Sequence, residues 1–293
     1  MIIVLHAMEG NLCFFGSMLI PTLSYSFQHR RCIHCRSSCQ LGIGFRVKSP
    51  KYKSFYKNIR MTVDDKQVVT EYFNTVGFER WRRIYSPTER VNRVQQDIRR
   101  GHQQTVNIIL RWIEEDGGNI SEQSFCDAGC GVGSLAIPLA KLGARVAASD
   151  ISHSMIEEAQ KRAKEEWGVI PSSLSFQVQD LLELQGSFDT VLCVDVLIHY
   201  SDAQLVSLLD SLSRVAKRRM IITFAPKTFY YVLLKKIGDF FPGPSKATRA
   251  YLHEEKDILD SLQQRGWQWI RKDLVKTNFY FCQIVQLEKR NRT

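Results

Sequence analysis

The run FCDAGCGVGSLA, residues 125–136, constrains this chain more than any other segment. A short apolar stretch leads into glycines at 129, 131 and 133, and a helix-compatible run follows. Glycine permits sharp turns and close approach of the backbone to a ligand. Three of them weaken a strand or helix unless the backbone needs them. The segment therefore reads as strand, glycine turn and helix, with the helix N-terminal N–H groups directed into one crevice. The site class implied is a nucleotide-type pocket at the carboxyl end of the first strand of a doubly wound sheet.

The spacing departs from the dinucleotide fingerprint G-x-G-x-x-G/A. Ser134 occupies the third position, Gly133 comes one residue early, and Asp127 precedes the first glycine. The pattern D-x-G-x-G-x-G instead resembles the first motif of class I S-adenosylmethionine (AdoMet)-dependent methyltransferases. Three further runs bring acids to the same sheet edge. ARVAASDIS (144–152) ends a second strand at Asp150, followed by Ile151. It lies about twenty residues beyond the glycines, where an acid accepts ribose hydroxyls. LSFQVQDLLEL (174–184) delivers Asp180 and Leu181, with Asp180 a candidate acceptor for the adenine amino group. FDTVLCVDVLIHY (188–200) places Asp195 and His199 at or beyond the end of a fourth strand. Asp127, Gly129, Gly131, Gly133, Asp150, Ile151, Asp180, Leu181 and Asp195 form the candidate AdoMet-binding set.

The expected fold is α/β, a Rossmann-like seven-stranded class I methyltransferase sheet with an N-terminal helical arm and an insertion after strand five. Strands alternate with helices at 134–142, 153–166 and 202–216, as in a parallel sheet. RRMIITFA (218–225) is the fifth strand; a helix at 254–265 and two β-rich runs complete an antiparallel C-terminal hairpin. In the arm, residues 64–76 carry apolar positions 68, 69, 72, 73 and 76 on one helical face, with Asp64 or Asp65 as N-cap and Gly77 as stop. A short amphipathic piece follows at 78–85, then a helix over about 88–115.

The net charge of +10 suggests a nucleic-acid binder. Its distribution argues otherwise. Residues 1–60 hold nine Lys/Arg and one acid, whereas the remainder holds 31 basic and 29 acidic residues. The basicity belongs to a Ser- and Arg-rich leader with the composition of an organelle transit peptide. The domain organisation expected is thus 1–60 transit segment, 61–117 arm, and 118–293 methyltransferase domain with insertion 226–252. Cys32, Cys35 and Cys39 form a C-x-x-C-x-x-x-C cluster inside the leader, but no second pair follows at zinc spacing. No metal is expected.

Several segments beyond the fold motifs identify a family. EYFNTVGFERWRRIYS (71–86), QQDIRRGHQQTV (95–106), FCDAGCGVGSLAIPLA (125–140), VDVLIHY (194–200) and TFAPKTFYYVLLKKIGDFFPGPSKATRAYLH (223–253) closely resemble the magnesium protoporphyrin IX O-methyltransferases. The resemblance covers roughly residues 64–290. It implies AdoMet-dependent esterification of one propionate of magnesium protoporphyrin IX in chlorophyll synthesis, a chloroplast location, and substrate delivery by a magnesium chelatase subunit. The apolar-aromatic stretch 229–241, with Lys235 and Lys236, is the expected peripheral membrane contact. Nucleic acid is not an expected partner.

A macrocycle needs a broad apolar surface. Tyr72, Phe73 and Trp81 of the arm and Phe229 and Tyr230 of the insertion are the candidate lining, with core packing the competing use. Arg82, Arg83, Arg99 and Arg100 are candidate propionate partners, Arg99 foremost. His199 is the candidate residue that orients the acceptor carboxylate, with Tyr85 as a second donor. Three other readings stay open: a quinone or phenol O-methyltransferase, which would need a base; an RNA-directed enzyme, which would need a basic face; and an inactive porphyrin-binding module.

Overall fold

A computed structural model of the chain describes residues 65–86, 88–227 and 251–290. The leader with its cysteine cluster, and Phe229 and Tyr230 with most of the insertion, lie outside the described residues.

Seven strands form one sheet: β1 (Ser124–Ala128), β2 (Arg145–Asp150), β3 (Leu174–Val178), β4 (Phe188–Cys193), β5 (Ala216–Phe224), β6 (Trp267–Lys276) and β7 (Phe281–Lys289). The order is β3-β2-β1-β4-β5-β7-β6, with β7 antiparallel to both neighbours. The strand order reverses between β1 and its two parallel partners, β2 and β4. A ligand crevice belongs at that switch point, outside the carboxyl ends of the strands.

Strand side chains alternate between two apolar layers. Phe125, Leu192, Ile221 and Ile284 enter one layer; Cys126, Val191, Met220, Ile222 and Val285 enter the other. The first layer is completed by the arm helices α1 (Asp65–Asn74), α2 (Val76–Ile84) and α3 (Arg93–Glu115), with α4 (Ala136–Lys141) and α5 (His153–Trp167). The second is completed by α6 (Asp202–Val215) and α7 (Glu255–Gln264). This sandwich explains why the central strands read as nearly continuous apolar runs.

The long helix starts later than the pattern predicts, at Arg93. Asn92 caps it: its side chain accepts from the Gln95 N–H, and Gln95 reaches back to the Asn92 N–H. The first arm helix ends at Asn74, earlier than expected, and Gly77 lies inside α2 instead of stopping α1. A Cβ on Gly77 would meet the Tyr72 ring at 2.4 Å, so this glycine is a packing device.

The arm is pinned to α5 at both ends. Ser152 Oγ donates to Asn74 Oδ1 (2.8 Å) and to the Phe73 carbonyl (3.1 Å). Arg162 donates to the carbonyls of Tyr85 (3.1 Å) and Arg82 (3.2 Å), capping the end of α2. The α5 helix begins at the carboxyl end of β2, so anchoring the arm here delivers it to the ligand edge.

Candidate active site

The glycine turn is braced mostly by its own protein. Gly129 and Cys130 both donate their N–H to the Ser149 carbonyl, at 2.8 and 2.9 Å. Gly129 has φ +83°, and a Cβ there would meet Val196 Cγ2 at 2.2 Å. Only glycine satisfies both conditions. Gly131 has φ +50° and faces open space, so the crevice lies in front of it. Its N–H donates to Asp150 Oδ2 (2.9 Å), while Asp150 Oδ1 accepts from Ser152 N–H (2.9 Å). Burial pushes the Asp150 carboxyl above its usual range, with the backbone N–H groups of Ser152, Gly131 and Ile151 opposing. A buried carboxylate aligned by N–H donors, with no cation beside it, suits a neutral diol donor such as ribose.

Asp127 departs from expectation. It is 2% exposed, and its Oδ2 accepts the Ala136 N–H at 3.1 Å. The helix following the turn starts only at Ala136, so this N–H serves Asp127 and not a ligand. Burial raises the Asp127 carboxyl to about 7. Its Oδ2 braces the turn from below, and the residue also lines the crevice. Asp180 Oδ1 accepts the Leu182 N–H (3.0 Å) and caps a one-turn helix at Leu181–Glu183. The Leu181 side chain is buried and its carbonyl accepts from Ser211.

Asp195 lies beyond β4, and it is the one non-glycine residue with positive φ (59°) among those described. Its N–H donates to Thr223 Oγ1 (2.8 Å). Tyr280 Oη donates to its carboxylate at 2.9 Å, and His102 Nδ1 lies 3.0 Å from Oδ2. Its oxygens are thus held in place by the protein, and the residue lines a small cavity with Ile198, Thr223 and Tyr280. The motif-based reading overlooked His102 and Tyr280. One signal existed: Gly101 interrupts an otherwise strong helix. A Cβ there would meet the Tyr280 ring at 2.4 Å, so the glycine admits Tyr280 against α3.

Tyr85 and His199 do reach this edge. Tyr85, at the end of α2, lines the crevice with His102, Asp127, Gly129, Gly131 and Ser134. Its ring lies 4.4 Å from the His102 ring and 5.5 Å from Trp81, centroid to centroid. Burial, reinforced by Asp195, holds its hydroxyl well above the usual phenol range, so it stays a donor. His199 sits on a one-turn helix after β4, and the Phe73 ring meets it edge-on at 5.2 Å. Its Nδ1 is buried without a hydrogen-bond partner. Burial lowers the imidazole to about 4, against the pull of Asp195, so the ring is neutral at pH 7.

The other candidates divide. Phe73 is half-buried at His199, consistent with a contact surface. Tyr72 and Trp81 are buried core residues, at 7% and 3% exposure. Arg99 is engaged by the arm itself. It donates to the carbonyls of Ile84, Arg83 and Glu89, closing the loop between α2 and α3. Arg82 pairs with Glu79 and Glu89, Arg83 with Glu89, and Arg100 with Asp97. All four arginines thus have partners within the arm: three have carboxylates and Arg99 has backbone carbonyls. Among the described residues there is no cluster of side chains suited to a metal ion, and no helix long and apolar enough to cross a membrane.

A sheet of this order, a glycine turn after β1 and an acid closing β2 define a class I AdoMet-dependent methyltransferase. The methyltransferase-domain family matches residues 125–219, and the family of the magnesium-protoporphyrin IX methyltransferase C-terminus matches residues 193–289. The chain is 51% identical over 224 residues to the chloroplastic magnesium protoporphyrin IX methyltransferase of Arabidopsis thaliana, covering 76% of this chain and 70% of that protein. It is 50% identical over 226 residues to the magnesium-protoporphyrin O-methyltransferase of Synechocystis, covering 76% and 96%. The crystal structure of the Synechocystis PCC 6803 magnesium protoporphyrin IX methyltransferase with bound SAH superposes with a TM-score of 0.70 at 46% identity, over 78% of this chain and all of that one. The chain belongs to the magnesium protoporphyrin IX methyltransferase family.

Proposed function

We propose that the chain transfers the methyl group of AdoMet to a propionate carboxylate of magnesium protoporphyrin IX, giving the monomethyl ester in chlorophyll synthesis. The observation that carries this reading is the crevice of the glycine turn, lined by Tyr85 of the arm, in a chain half identical to enzymes of that name. AdoMet, when bound, supplies an electrophilic methyl group on a positively charged sulfur.

The protein's own groups hold and align. Asp150, oriented by the N–H groups of Gly131 and Ser152, takes the ribose hydroxyls. Open space at Gly131 lets the donor lie close to the backbone. Ile151, Asp180 and Leu181 bound the adenine end.

A propionate is ionised at neutral pH, since carboxyls titrate near ~4.3. The acceptor therefore needs orientation and partial desolvation and no strong base. A neutral His199 has one N–H to donate, and its buried, unpartnered Nδ1 shows that a hydrogen bond is missing there. We assign that bond to the acceptor carboxylate, with the Phe73 ring fixing the imidazole and the Tyr85 hydroxyl as second donor. Such a pair of donors also favours a carboxylate over a phenol, which would need its proton removed.

The same reading puts the chain in the plastid. It draws support from the basic, acid-poor residues 1–60 and from the chloroplastic Arabidopsis relative. It includes a peripheral membrane contact through residues 229–241, testable by flotation with plastid lipids. Delivery by a magnesium chelatase subunit is testable by transfer of the porphyrin from that subunit.

The direct test is incubation with AdoMet and magnesium protoporphyrin IX, read out as ester formation. His199→Ala is expected to lower turnover by about 100-fold, the loss typical of a misaligned acceptor, and to leave S-adenosylhomocysteine affinity unchanged. Intact turnover in this variant would remove His199 from the mechanism.

A further inference from the structure

Besides the arm and the turn after β4, a third element reaches the ligand edge: the connection between β6 and β7. β7 runs antiparallel to β5, and its first residues pair with the last of β5, Gln283 opposite Phe224. Residues 277–280, which join β6 to β7, therefore stand at the carboxyl edge of the sheet.

This turn is tied down from outside as well as from within. Inside it, Thr277 N–H donates to the Tyr280 carbonyl (2.8 Å) and Tyr280 N–H donates to Thr277 Oγ1 (3.0 Å). From α3, the buried Asp97 accepts on one oxygen, Oδ2, from Thr277 Oγ1 (2.6 Å) and from Phe279 N–H (2.7 Å). Tyr280, seated in the space left by Gly101, donates to Asp195 (2.9 Å). A short hairpin turn closes on its own backbone bonds. A buried carboxylate from another helix, spent on the Phe279 N–H, fixes where this one residue stands, and loops held by a rigid scaffold are where binding residues concentrate.

The Phe279 side chain is half-buried and lines a small cavity with Ile198, Phe224, Ala225, Phe281 and Asp195. Ile198 directly precedes His199 and packs with Ala225. Asp195 ties this cavity to the donor side, since it also holds His102, which lines the crevice of the glycine turn. The lining offers aromatic and aliphatic contact, with its one carboxylate already bonded to Tyr280 and His102. Ribose or an amino-acid group needs polar partners; a flat apolar ring needs this kind of wall. Tyr72 and Trp81 are consumed by the core, so apolar surface for a macrocycle has to come from elsewhere.

We infer that Phe279 is an acceptor-binding, specificity-determining residue whose ring packs against the face of the porphyrin macrocycle while a propionate reaches His199. Asp97 and Thr277 hold the turn that presents it. The inference rests on magnesium protoporphyrin IX as the acceptor.

The test compares wild type with Phe279→Leu, which keeps apolar bulk, and Phe279→Tyr, which keeps the aromatic face. The probes are magnesium protoporphyrin IX and its dimethyl ester, which has the same ring and no carboxylate, each titrated by the shift of its Soret band. S-adenosylhomocysteine affinity, by calorimetry, is the reference within each variant, so a loss of folded protein cancels. Phe279→Leu is expected to weaken both porphyrins by the same factor, about 5- to 50-fold, as for removal of a stacked aromatic. Affinity for S-adenosylhomocysteine is expected to stay within about twofold, and Phe279→Tyr is expected to bind both porphyrins within about threefold of wild type, because it keeps the ring face. Unchanged porphyrin affinity in Phe279→Leu overturns the inference. So does a loss confined to the free acid, an equal loss for S-adenosylhomocysteine, or a Phe279→Tyr protein as weak as Phe279→Leu. Failure of the wild-type chain to bind either porphyrin overturns the acceptor reading itself.

Discussion

Replacing Gly129 by alanine tests how the donor turn and the acceptor turn are joined. The added Cβ meets two separate penalties. The residue has φ +83°, a left-handed conformation that costs an L-residue about 1–2 kcal/mol. The Cβ also stands 2.2 Å from Val196 Cγ2 and 3.4 Å from Val196 Cβ. Overpacking of this kind costs about 1–3 kcal/mol. Gly129→Ala is thus expected to lose roughly 2–5 kcal/mol, the sum of the two terms. The second term is specific to one neighbour. Val196→Ala removes the clashing methyl groups at a cost of about 1 kcal/mol for a half-buried valine. In the double variant the steric penalty vanishes and the backbone penalty stays, so a coupling of about 1–3 kcal/mol in favour of the pair is expected. Urea unfolding of the four proteins, with m-values compared to confirm an unchanged transition, supplies the cycle. Additivity of the two single changes would refute the close approach. A loss below about 0.5 kcal/mol in Gly129→Ala, the range of a neutral surface change, would refute the left-handed turn as well. Val196 leads directly into the one-turn helix of His199, so the clash should also lower turnover, and Val196→Ala should restore part of it.

Three other expectations follow from the same geometry. Asp127 binds a proton more tightly folded (about 7) than its ordinary value of 3.8, so stability falls as pH rises from about 4 to 7. Asp127→Asn keeps an acceptor for Ala136 N–H and removes the titration; without AdoMet it is expected to match wild type near pH 4 and to gain up to about 4 kcal/mol by pH 8, and a constant difference across thermal melts at these pH values would contradict the assignment. His253 Nε2 donates to the Leu197 carbonyl (2.9 Å), and Tyr251 N–H donates to the Ile198 carbonyl (2.8 Å), clamping the turn that carries His199. His253→Ala is expected to lower turnover by about 10- to 100-fold through misplacement of His199, with partial recovery in His253→Gln, and equal turnover in all three proteins would deny the clamp. Arg219 is 1% exposed and bonds Thr190, Gln123 and Asp116; Arg219→Leu strands these partners and is expected to cost about 3 kcal/mol, seen as a lower urea midpoint, whereas an unchanged midpoint would show that the network contributes nothing net.

The order of strands and helices was legible because each element carries its own period and its own stop. Alternating and continuous apolar runs marked β1 to β7, and the helices expected at 153–166 and 202–216 run over His153–Trp167 and Asp202–Val215. The glycine turn was legible because φ is a local property. The acid at the end of β2 was legible because its distance along the chain is set by one strand–helix unit.

What failed was any statement about which neighbour a side chain would meet. Gly77 looked like a helix stop and proved to be a seat for Tyr72. Arg99 looked like a propionate partner and is consumed by three carbonyls of its own loop. Asp127 looked like a ligand contact, and its Oδ2 is taken by the first N–H of a helix. His102 and Tyr280 are 178 positions apart, and only the pairing of β6 with β7 and the seating of α3 bring both to Asp195.

The sequence by itself determined the class of sheet, the donor turn and the residues able to donate hydrogen bonds at its edge. Those follow from local backbone preference and from periodicity. The tertiary structure decided which of those groups remain free to meet a ligand. A polar atom has few lone pairs and protons, and once folding brings a backbone carbonyl or a carboxylate within reach, that partner takes them first.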